Sequence, residues 1–334
     1  MLIVKISIFL IITILLSGCG AELKLSEYTK STLSKTNHMP SKSELNVKSK
    51  KVIMMPLDNN EIKIAKNAKL GNSMISKLNT KLASSKNVRI IKRVQKLNNS
   101  LKLAQEVKAS ELSKEIGSDI GQADFIITGQ INNATYEHTF HEGYYYDCKN
   151  SEGKKVRCYS KPYMSYRSCV EGSLKVFQLP ELLEVFSEPF NRCSSNSTEV
   201  RSSRNIKRSD NGLVRKAGSS AIDKVIYPLS NFFAKKGYIY QQRVKSDEKI
   251  IKVTIGSEDG AIKGDKVFIY RVVDEINPLT GEKIIEDIKI GEGIISNQIT
   301  AHNSWIIIDE MYENYIVKSG DYVKIFKERG LWSW

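Results

Sequence analysis

The chain has 334 residues, a length typical of two or three domains. Hydrophobic residues make up 41% of it and charged residues 26%, which excludes a wholly disordered chain and a protein with many membrane spans. The formal net charge of +14 either suits anionic partners, such as lipid headgroups or peptidoglycan carboxylates, or reflects composition alone. No run of residues has the composition of a dedicated basic recognition helix, so we expect no nucleic-acid partner.

The N-terminus has the pattern of a secretory signal peptide. Residues 1–18 contain one charge, Lys5, followed by a short apolar run with the length of a signal-peptide h-region. The run is short for a bilayer span, although an ordinary transmembrane anchor is the alternative. It ends in Leu16-Ser17-Gly18-Cys19, which resembles the bacterial lipobox. The resemblance implies cleavage before Cys19 and attachment of acyl chains to this residue.

The residue after the cysteine bears on where an anchored protein would reside. In enteric-type lipoproteins, Asp at this position retains the protein at the inner membrane, whereas this chain has Gly20. The resemblance therefore implies an outer-membrane lipoprotein that faces the periplasm. Residues 19–50 are rich in Ser, Lys and Thr and poor in apolar residues, which predicts a lipidated, flexible tether.

Four further cysteines agree with export to an oxidising compartment. They predict two disulfide bonds, but four cysteines allow three pairings and the sequence does not choose among them. No Cys-x-x-Cys pair is present, so we expect disulfides rather than a zinc site, and no metal. We interpret His138 and His141 as polar residues at a strand end. The four cysteines are Cys148, Cys158, Cys169 and Cys193.

Residues 51–240 predict an α+β domain. Apolar runs of strand length alternate there with segments that have helical spacing of their apolar residues. The predicted order is β-α-β-α-β, over residues 52–57, 61–85, 87–91, 94–116 and 123–131.

The second half of this domain contains an insertion rich in cysteine and tyrosine. Residues 139–170 are interpreted as a disulfide-linked insertion between two strands. Its tyrosines either stack on a glycan or a protein partner, or simply cover the surface. Residues 173–186 predict a hairpin, residues 194–211 a polar loop, and residues 212–236 a helix that Gly237 ends.

After this helix the pattern becomes all-β. Five candidate strands, separated by turns rich in Gly, Asn and Asp, predict a small SH3-like barrel over residues 249–327. The polar segment 238–248 is interpreted as the domain boundary. Trp332 and Trp334 predict either a docking peptide or a segment folded back on the barrel. The candidate strands are 249–255, 266–272, 283–299, 304–309 and 321–326.

Two pieces of the chain resemble known families. The strands Val52–Leu57 and Val88–Ile91, with the motif Ala123-Asp124-Phe125-Ile126-Ile127-Thr128-Gly129, resemble the curli-secretion lipoprotein family (CsgG-like) and the N-terminal domain of TolB. This resemblance covers the whole α+β domain. The turns Gly264-Asp265 and Gly320-Asp321 are similar to those in the C-terminal domain of the flagellar ring protein FlgT, and they indicate a fold rather than a site.

The sequence contains no P-loop, dinucleotide-binding, zinc-protease or nucleophile-elbow motif. We therefore expect a non-enzymatic protein without a cofactor. The two resemblances imply a structural or assembly component of an envelope machine, either flagellar-ring-like or secretory. They also imply a homo-oligomeric ring that contacts other envelope proteins, with peptidoglycan as a further candidate partner.

Two other functions are alternatives. A CsgG-like secretion channel needs lipid-facing alternation in hairpins supplied by each subunit, and residues 134–147 and 156–177 alternate only weakly. A lipoprotein regulator of a periplasmic enzyme needs no ring. Imaging of the extracted protein separates the ring-forming functions from the regulator, and a conductance measurement separates the channel from the scaffold.

Overall fold

The computed structural model describes residues 22–46, 49–59, 61–91, 123–204 and 206–328. These residues are mostly β-strand with few helices, in agreement with an α+β fold followed by an all-β part. They fall into two compact units, one from Lys50 to Phe232 and the other combining the residues before Lys50 with those from Phe233 onwards. Cys19, the signal peptide, the predicted helix 94–116 and the two terminal tryptophans lie outside the described residues.

Within the described residues 22–46, the N-terminal segment contains regular structure where its composition predicted a flexible tether. It contains β1 (Thr29–Ser31), which pairs antiparallel with residues 242–244, and α1 (Lys42–Leu45). A capping box begins α1, because the Ser41 hydroxyl accepts from the Glu44 N–H at 3.3 Å and the Glu44 carboxylate accepts from the Ser41 N–H at 2.8 Å. Ser41 therefore serves as a helix cap, and Thr29 and Ser31 serve as strand residues.

The described residues from 50 to 232 form seven strands and three helices. The strands are β2 (Lys50–Met54), β3 (Val88–Ile90), β4 (Phe125–His141), β5 (Tyr144–Lys149), β6 (Lys155–Ser160), β7 (Tyr163–Gln178) and β8 (Leu183–Glu199). The helices are α2 (Lys63–Asn67), α3 (Leu70–Ala83) and α4 (Asn211–Phe232). Five strands form a mixed sheet in the order β3-β2-β4-β7-β8, in which β2 is parallel to both of its neighbours. The strands β5 and β6 form a separate two-stranded sheet.

The helix α4 packs against the five-stranded sheet and also against α3. Along β7, Leu174 and Val176 are fully buried whereas Arg167 is exposed. This alternation is expected of a strand with one face in a core and one face in water. Gly218 of α4 allows the two helices to approach closely, because a Cβ there would lie 2.5 Å from the Leu70 side chain. One core cluster of this unit therefore lies between the helices and the sheet, and a second, smaller one contains Ile53, Met55 and Ile126.

Three predicted elements differ in this unit. The predicted helix 61–85 is two helices, because Lys69 adopts a left-handed backbone conformation (φ 48°) between α2 and α3. The predicted hairpin 173–186 is the end of a much longer pair, since β7 and β8 pair along the whole of β7. The predicted polar loop 194–211 begins as strand, because residues 194–199 continue β8, an edge strand on which polar side chains can face water.

The other unit contains a closed barrel. Its strands are β9 (Gly237–Lys245), β10 (Glu248–Val253), β11 (Lys266–Ile276), β12 (Lys283–Ile299), β13 (Ser304–Met311) and β14 (Tyr322–Phe326). The order β9-β10-β13-β12-β11-β14 closes because β14 also pairs with β9, and β1 pairs with the second half of β9. The core is aliphatic, with Ile251, Val267 and Ile290 fully buried. The strand β9 was not among the five predicted strands, because its glutamines and basic residues are also typical of a polar linker.

In the Gly-Asp turns that the sequence predicted, the glycines allow the turn conformation, and one of the aspartates forms a buried ion pair. Gly264 and Gly320 adopt φ values of 88° and 97°, a region that favours glycine. Asp321 is fully buried, and its carboxylate accepts two hydrogen bonds from Arg271, at 2.8 and 2.7 Å, and one from the Lys318 N–H at 2.7 Å. A buried carboxylate needs such partners, so Asp321 is a structural ion-pair residue of the barrel.

A second charge cluster lies nearer the barrel surface. The Glu292 carboxylate lies 2.7 Å from the ammonium groups of both Lys266 and Lys289, and it accepts a hydrogen bond from the Tyr312 hydroxyl. Hydrogen bonds from Lys266, Lys289 and Tyr312 lower the pKa of Glu292 to about 2. The Lys289 ammonium also lies 3.5 Å from the centroid of the Phe268 ring, a cation–π contact.

Candidate interaction site on the tyrosine ribbon

Within the described residues, the four most exposed aromatic side chains all lie on β5 and β6. These strands pair with each other in a sheet of their own, which we call the tyrosine ribbon. The insertion predicted at 139–170 is thus shorter in the structure, because its two ends belong to β4 and β7. Most residues of the ribbon are exposed on both faces. The exposed fractions are 58% for Tyr144, 63% for Tyr145, 46% for Tyr146 and 51% for Tyr159.

The turn of the ribbon is fixed by local hydrogen bonds. The Asn150 side-chain oxygen accepts from the N–H groups of Glu152 at 3.1 Å and Lys154 at 2.9 Å. Gly153 adopts a positive φ of 78°, which glycine tolerates without strain. Because the turn sets which residues face each other, this bonding fixes the register of β5 on β6.

The base of the ribbon is closely packed. A Cβ on Gly143 would lie 2.9 Å from the Ser160 carbonyl oxygen, so glycine lets the backbone approach closely where the ribbon leaves β4. His141 stacks on Tyr163 with ring centroids 4.4 Å apart, and its Nε2 lies 2.9 Å from the Ser165 hydroxyl. His141 is therefore a packing residue near the end of β4. Among the described residues, no group of three or more His, Cys, Asp or Glu side chains is arranged to hold a metal ion.

The cysteines adopt one of the three possible pairings. Cys148 bonds to Cys158 across the ribbon, and Cys169 bonds to Cys193 between β7 and β8, where the two residues lie directly opposite each other. A two-stranded hairpin is marginally stable alone in water, and a cross-link that closes a loop of this length contributes about 3 kcal/mol. The first disulfide therefore supports the ribbon, whereas the second joins strands that are already paired along their length.

The register of the ribbon divides its tyrosines between the two faces. Tyr145 lies opposite Tyr159 with ring centroids 4.8 Å apart, and the Arg157 guanidinium lies 4.8 Å from the Tyr145 centroid. Tyr144 and Tyr146 share the other face, with centroids 5.8 Å apart. Both faces therefore expose aromatic rings to solvent.

Charged residues accompany the tyrosines. Asp147 lies opposite Arg157, and Lys149 lies opposite Lys155 next to the turn. Like charges that face each other on adjacent strands are unfavourable, and an anionic group supplied by a partner would relieve this repulsion. The ribbon therefore combines stacking surfaces with positive charge near its turn.

The structure also shows an exposed apolar patch that sequence reasoning missed. Ile276, Leu279 and Ile285 lie where β11 and β12 extend to their connecting turn, and Leu279 is 93% exposed. The turn itself was predicted, and its Asn277 side-chain oxygen accepts from the Leu279 N–H at 2.9 Å. Apolar residues on both sides of a turn were the signal in the sequence that could have revealed this patch.

The lipidation of Cys19 stays a prediction, because this residue lies outside the described part of the chain. Among the helices that the structure describes, none is long and apolar enough to cross a membrane. The structure joins the four predicted disulfide cysteines in two separate pairs.

No protein-family model and no curated protein matches this chain. Solved structures that match it include a PelC dodecamer from Paraburkholderia phytofirmans, with 13% sequence identity, a TM-score of 0.28, and coverage of 61% of this chain and 97% of that one. The hypothetical protein CT253 from Chlamydia trachomatis matches with 14% identity and a TM-score of 0.32, and covers 55% of this chain and 98% of its own. Similarities at this level assign no function to this chain.

Proposed function

We propose that the protein is a non-enzymatic, outer-membrane lipoprotein that faces the periplasm and serves as an assembly component of an envelope machine. The observation that carries this proposal is the tyrosine ribbon, which holds four exposed tyrosines on a disulfide-linked hairpin. The lipobox-like sequence that ends at Cys19 supports the lipid anchor. The resemblances to the curli-secretion family and to FlgT support the envelope setting.

Tyrosine is well suited to a docking surface. It offers a large contact area and a hydroxyl group, and it loses little conformational entropy when it is immobilised. The Cys148–Cys158 disulfide holds the ribbon in one shape before binding. Less order then has to be gained on binding, which favours association.

The partner that we propose is a neighbouring copy of the chain in a ring, with other envelope proteins bound to that ring. Rings form through head-to-tail contacts, in which one surface of a subunit docks on a different surface of the next. The ribbon fits such a contact because tyrosines lie on both of its faces, Tyr145 on one and Tyr146 on the other, so that insertion into a neighbour buries both.

Site-specific photo-crosslinking in the intact envelope tests this proposal. A photoreactive amino acid at Tyr145 is expected to give an adduct of twice the mass of the chain. The same amino acid at Tyr240, a 43%-exposed tyrosine of β9, is the matched control and is expected to give none.

Three other outcomes have defined meanings. An adduct with a periplasmic enzyme, in place of the dimeric adduct, would favour the regulator. A dimeric adduct together with ion conductance after reconstitution would favour the secretion channel. Equal labelling from the two positions would contradict docking through the ribbon.

A further inference from the structure

The beginning of the described chain is fixed on the barrel unit. Leu23 is 3% exposed and packs against Ile250 and Trp305, in a small cluster that also contains Tyr28. Burial of a leucine side chain contributes about 1.5–3 kcal/mol. Residue 23 is therefore part of the hydrophobic structure of this unit rather than of a linker.

Hydrogen bonds hold the backbone at the same place. The Leu23 N–H donates to the Asn297 side-chain oxygen at 2.7 Å, and the Leu23 carbonyl accepts from the Gln298 side chain at 3.1 Å. Two residues later, the Leu25 carbonyl accepts from the Arg243 guanidinium at 2.9 Å. Both polar groups of the Leu23 backbone are thus satisfied by side chains of the barrel unit.

Ion pairs and strand pairing continue this attachment. The Glu27 carboxylate lies 2.6 Å from the Lys245 ammonium, and the Tyr28 hydroxyl donates to the Glu248 carboxylate at 2.6 Å. The hydrogen bond to Glu248 raises the pKa of Tyr28 to about 12. The strand β1 then pairs with β9. We call residues 23–31 the strap, because they fasten the N-terminal segment along one side of the barrel.

The strap limits how far the barrel can move from a lipid anchor. Only Gly20, Ala21 and Glu22 separate Cys19 from Leu23. An extended chain spans at most about 3.6 Å per residue, so the Cα atoms of Cys19 and Leu23 can be no more than about 14 Å apart. An acylated Cys19 must lie at the lipid headgroups.

We infer that the end of the barrel around Leu23 faces the lipid surface of the membrane, so that the barrel unit is held directly against it. This inference rests on the lipid anchor of the proposed function. The same end carries Lys263, which pairs with Glu22 at 3.8 Å, and beside it Ile262, which is 62% exposed. An exposed isoleucine next to the anchor would be buried in the headgroup region.

The strand β12 defines which part of the barrel points away from the membrane. Asn297, which binds the strap, lies near one end of this strand, and the exposed patch at Leu279 lies beyond the other end. The fifteen residues from Lys283 to Asn297 make fourteen steps, which span at most about 46 Å at about 3.3 Å per residue. Leu279 is therefore expected to lie far from the headgroups.

Short-range fluorescence quenching tests this orientation. The full-length lipidated protein, carrying a fluorescent amino acid at either position 262 or position 279, is reconstituted into phospholipid vesicles with nitroxide-labelled headgroups. We expect at least threefold stronger quenching at position 262 than at position 279. Equal quenching at the two positions, or stronger quenching at 279, would overturn the inference.

Two controls make the outcome specific. Insertion of about twenty Gly and Ser residues between Ala21 and Glu22 leaves the strap intact but lengthens the tether, and it is expected to abolish the quenching at position 262. Labelling of the same samples with a fatty-acid probe reports the anchor separately. A sample that is labelled and membrane-bound but shows no difference between positions contradicts the orientation alone, whereas an unlabelled sample contradicts both the anchor and the orientation.

Discussion

The tyrosine ribbon and the outer part of the β11–β12 hairpin expose large apolar side chains in different ways. The ribbon is a sheet of its own and contains a disulfide across its strands. The β11–β12 hairpin continues two barrel strands and has no cross-link. Its outer part is held by an ion pair of Asp274 with Lys283 at 3.0 Å and by a 2.9 Å contact of the Asp274 carboxylate with His38 Nε2. A hairpin that extends from a packed barrel gains its order from the barrel, whereas an isolated one needs a covalent link.

The largest loss of stability is expected when the ion pair between Asp321 and Arg271, at the base of the β11–β12 hairpin, is broken. Replacement of Asp321 by Ala leaves the Arg271 guanidinium, whose side chain is 12% exposed, without its carboxylate partner. Breaking a buried pair in this way should lower the free energy of unfolding of the barrel unit by about 3–5 kcal/mol, measured by urea unfolding.

The control for this substitution is Lys283→Ala. It removes a far more exposed pair near the turn of the same hairpin and should cost less than about 1 kcal/mol. Equal losses in the free energy of unfolding for the two variants would show that the buried pair contributes no more to the stability of the hairpin than the exposed pair does.

The next largest loss of stability is expected in the tyrosine ribbon when its disulfide is removed. Replacement of both Cys148 and Cys158 by Ser should lower local stability by about 3 kcal/mol, so that the amides of β5 and β6 exchange with solvent much faster. The matched variant replaces Cys169 and Cys193 by Ser and should leave the exchange of β7 and β8 amides little changed, because these strands pair along their length. Hydrogen exchange measures both, and a ribbon that stays protected without its disulfide would remove the contrast between the two hairpins.

A smaller change in the free energy of unfolding of the barrel is expected as the pH falls. Hydrogen bonds from Lys266, Lys289 and Tyr312 lower the pKa of the Glu292 carboxylate to about 2, below the ordinary value of 4.5. The folded state then binds fewer protons than the unfolded state, so this contribution is complete above about pH 4.5 and is lost as the pH falls towards 2. The loss should be on the order of 1–3 kcal/mol. Urea unfolding between pH 5 and pH 2 should show a shallower decline for Glu292→Gln, and an identical pH dependence would contradict the assigned role.

The smallest effect is expected at the tip of the β11–β12 hairpin. Leu279 is almost fully exposed, so Leu279→Ser should change the free energy of unfolding by less than about 0.5 kcal/mol. Thermal unfolding of the isolated protein measures this. A loss above about 1 kcal/mol would mean that the tip is packed rather than displayed.

Local patterns predicted much of the fold. The motif from Ala123 to Gly129 correctly marked a strand, and the apolar spacing after residue 212 marked α4. The predicted helix 61–85 missed its break at Lys69, because a left-handed residue other than glycine leaves no clear signal in the sequence.

The larger errors came from polar segments that acquire order through pairing. Residues 194–199 are rich in Ser and were predicted as a loop, and the strap is rich in Ser and Lys and was predicted as part of a tether. Strands β7 and β9 supply their pairing partners. The candidate site was predictable in part, because the tyrosines and cysteines of the ribbon are visible in the sequence. Their pairing and exposure depend on strand register, which composition does not set.

Imaging tests the central claim, assembly through the tyrosine ribbon, most directly. Full-length protein would be extracted from outer membranes in mild detergent and examined by negative-stain microscopy as wild type, as Tyr145→Ser with Tyr159→Ser, and as Tyr240→Ser. We predict rings of uniform symmetry for the wild type and the Tyr240 variant, and single subunits for the ribbon variant. Intact rings in the ribbon variant, or single subunits in all three samples, would contradict the account.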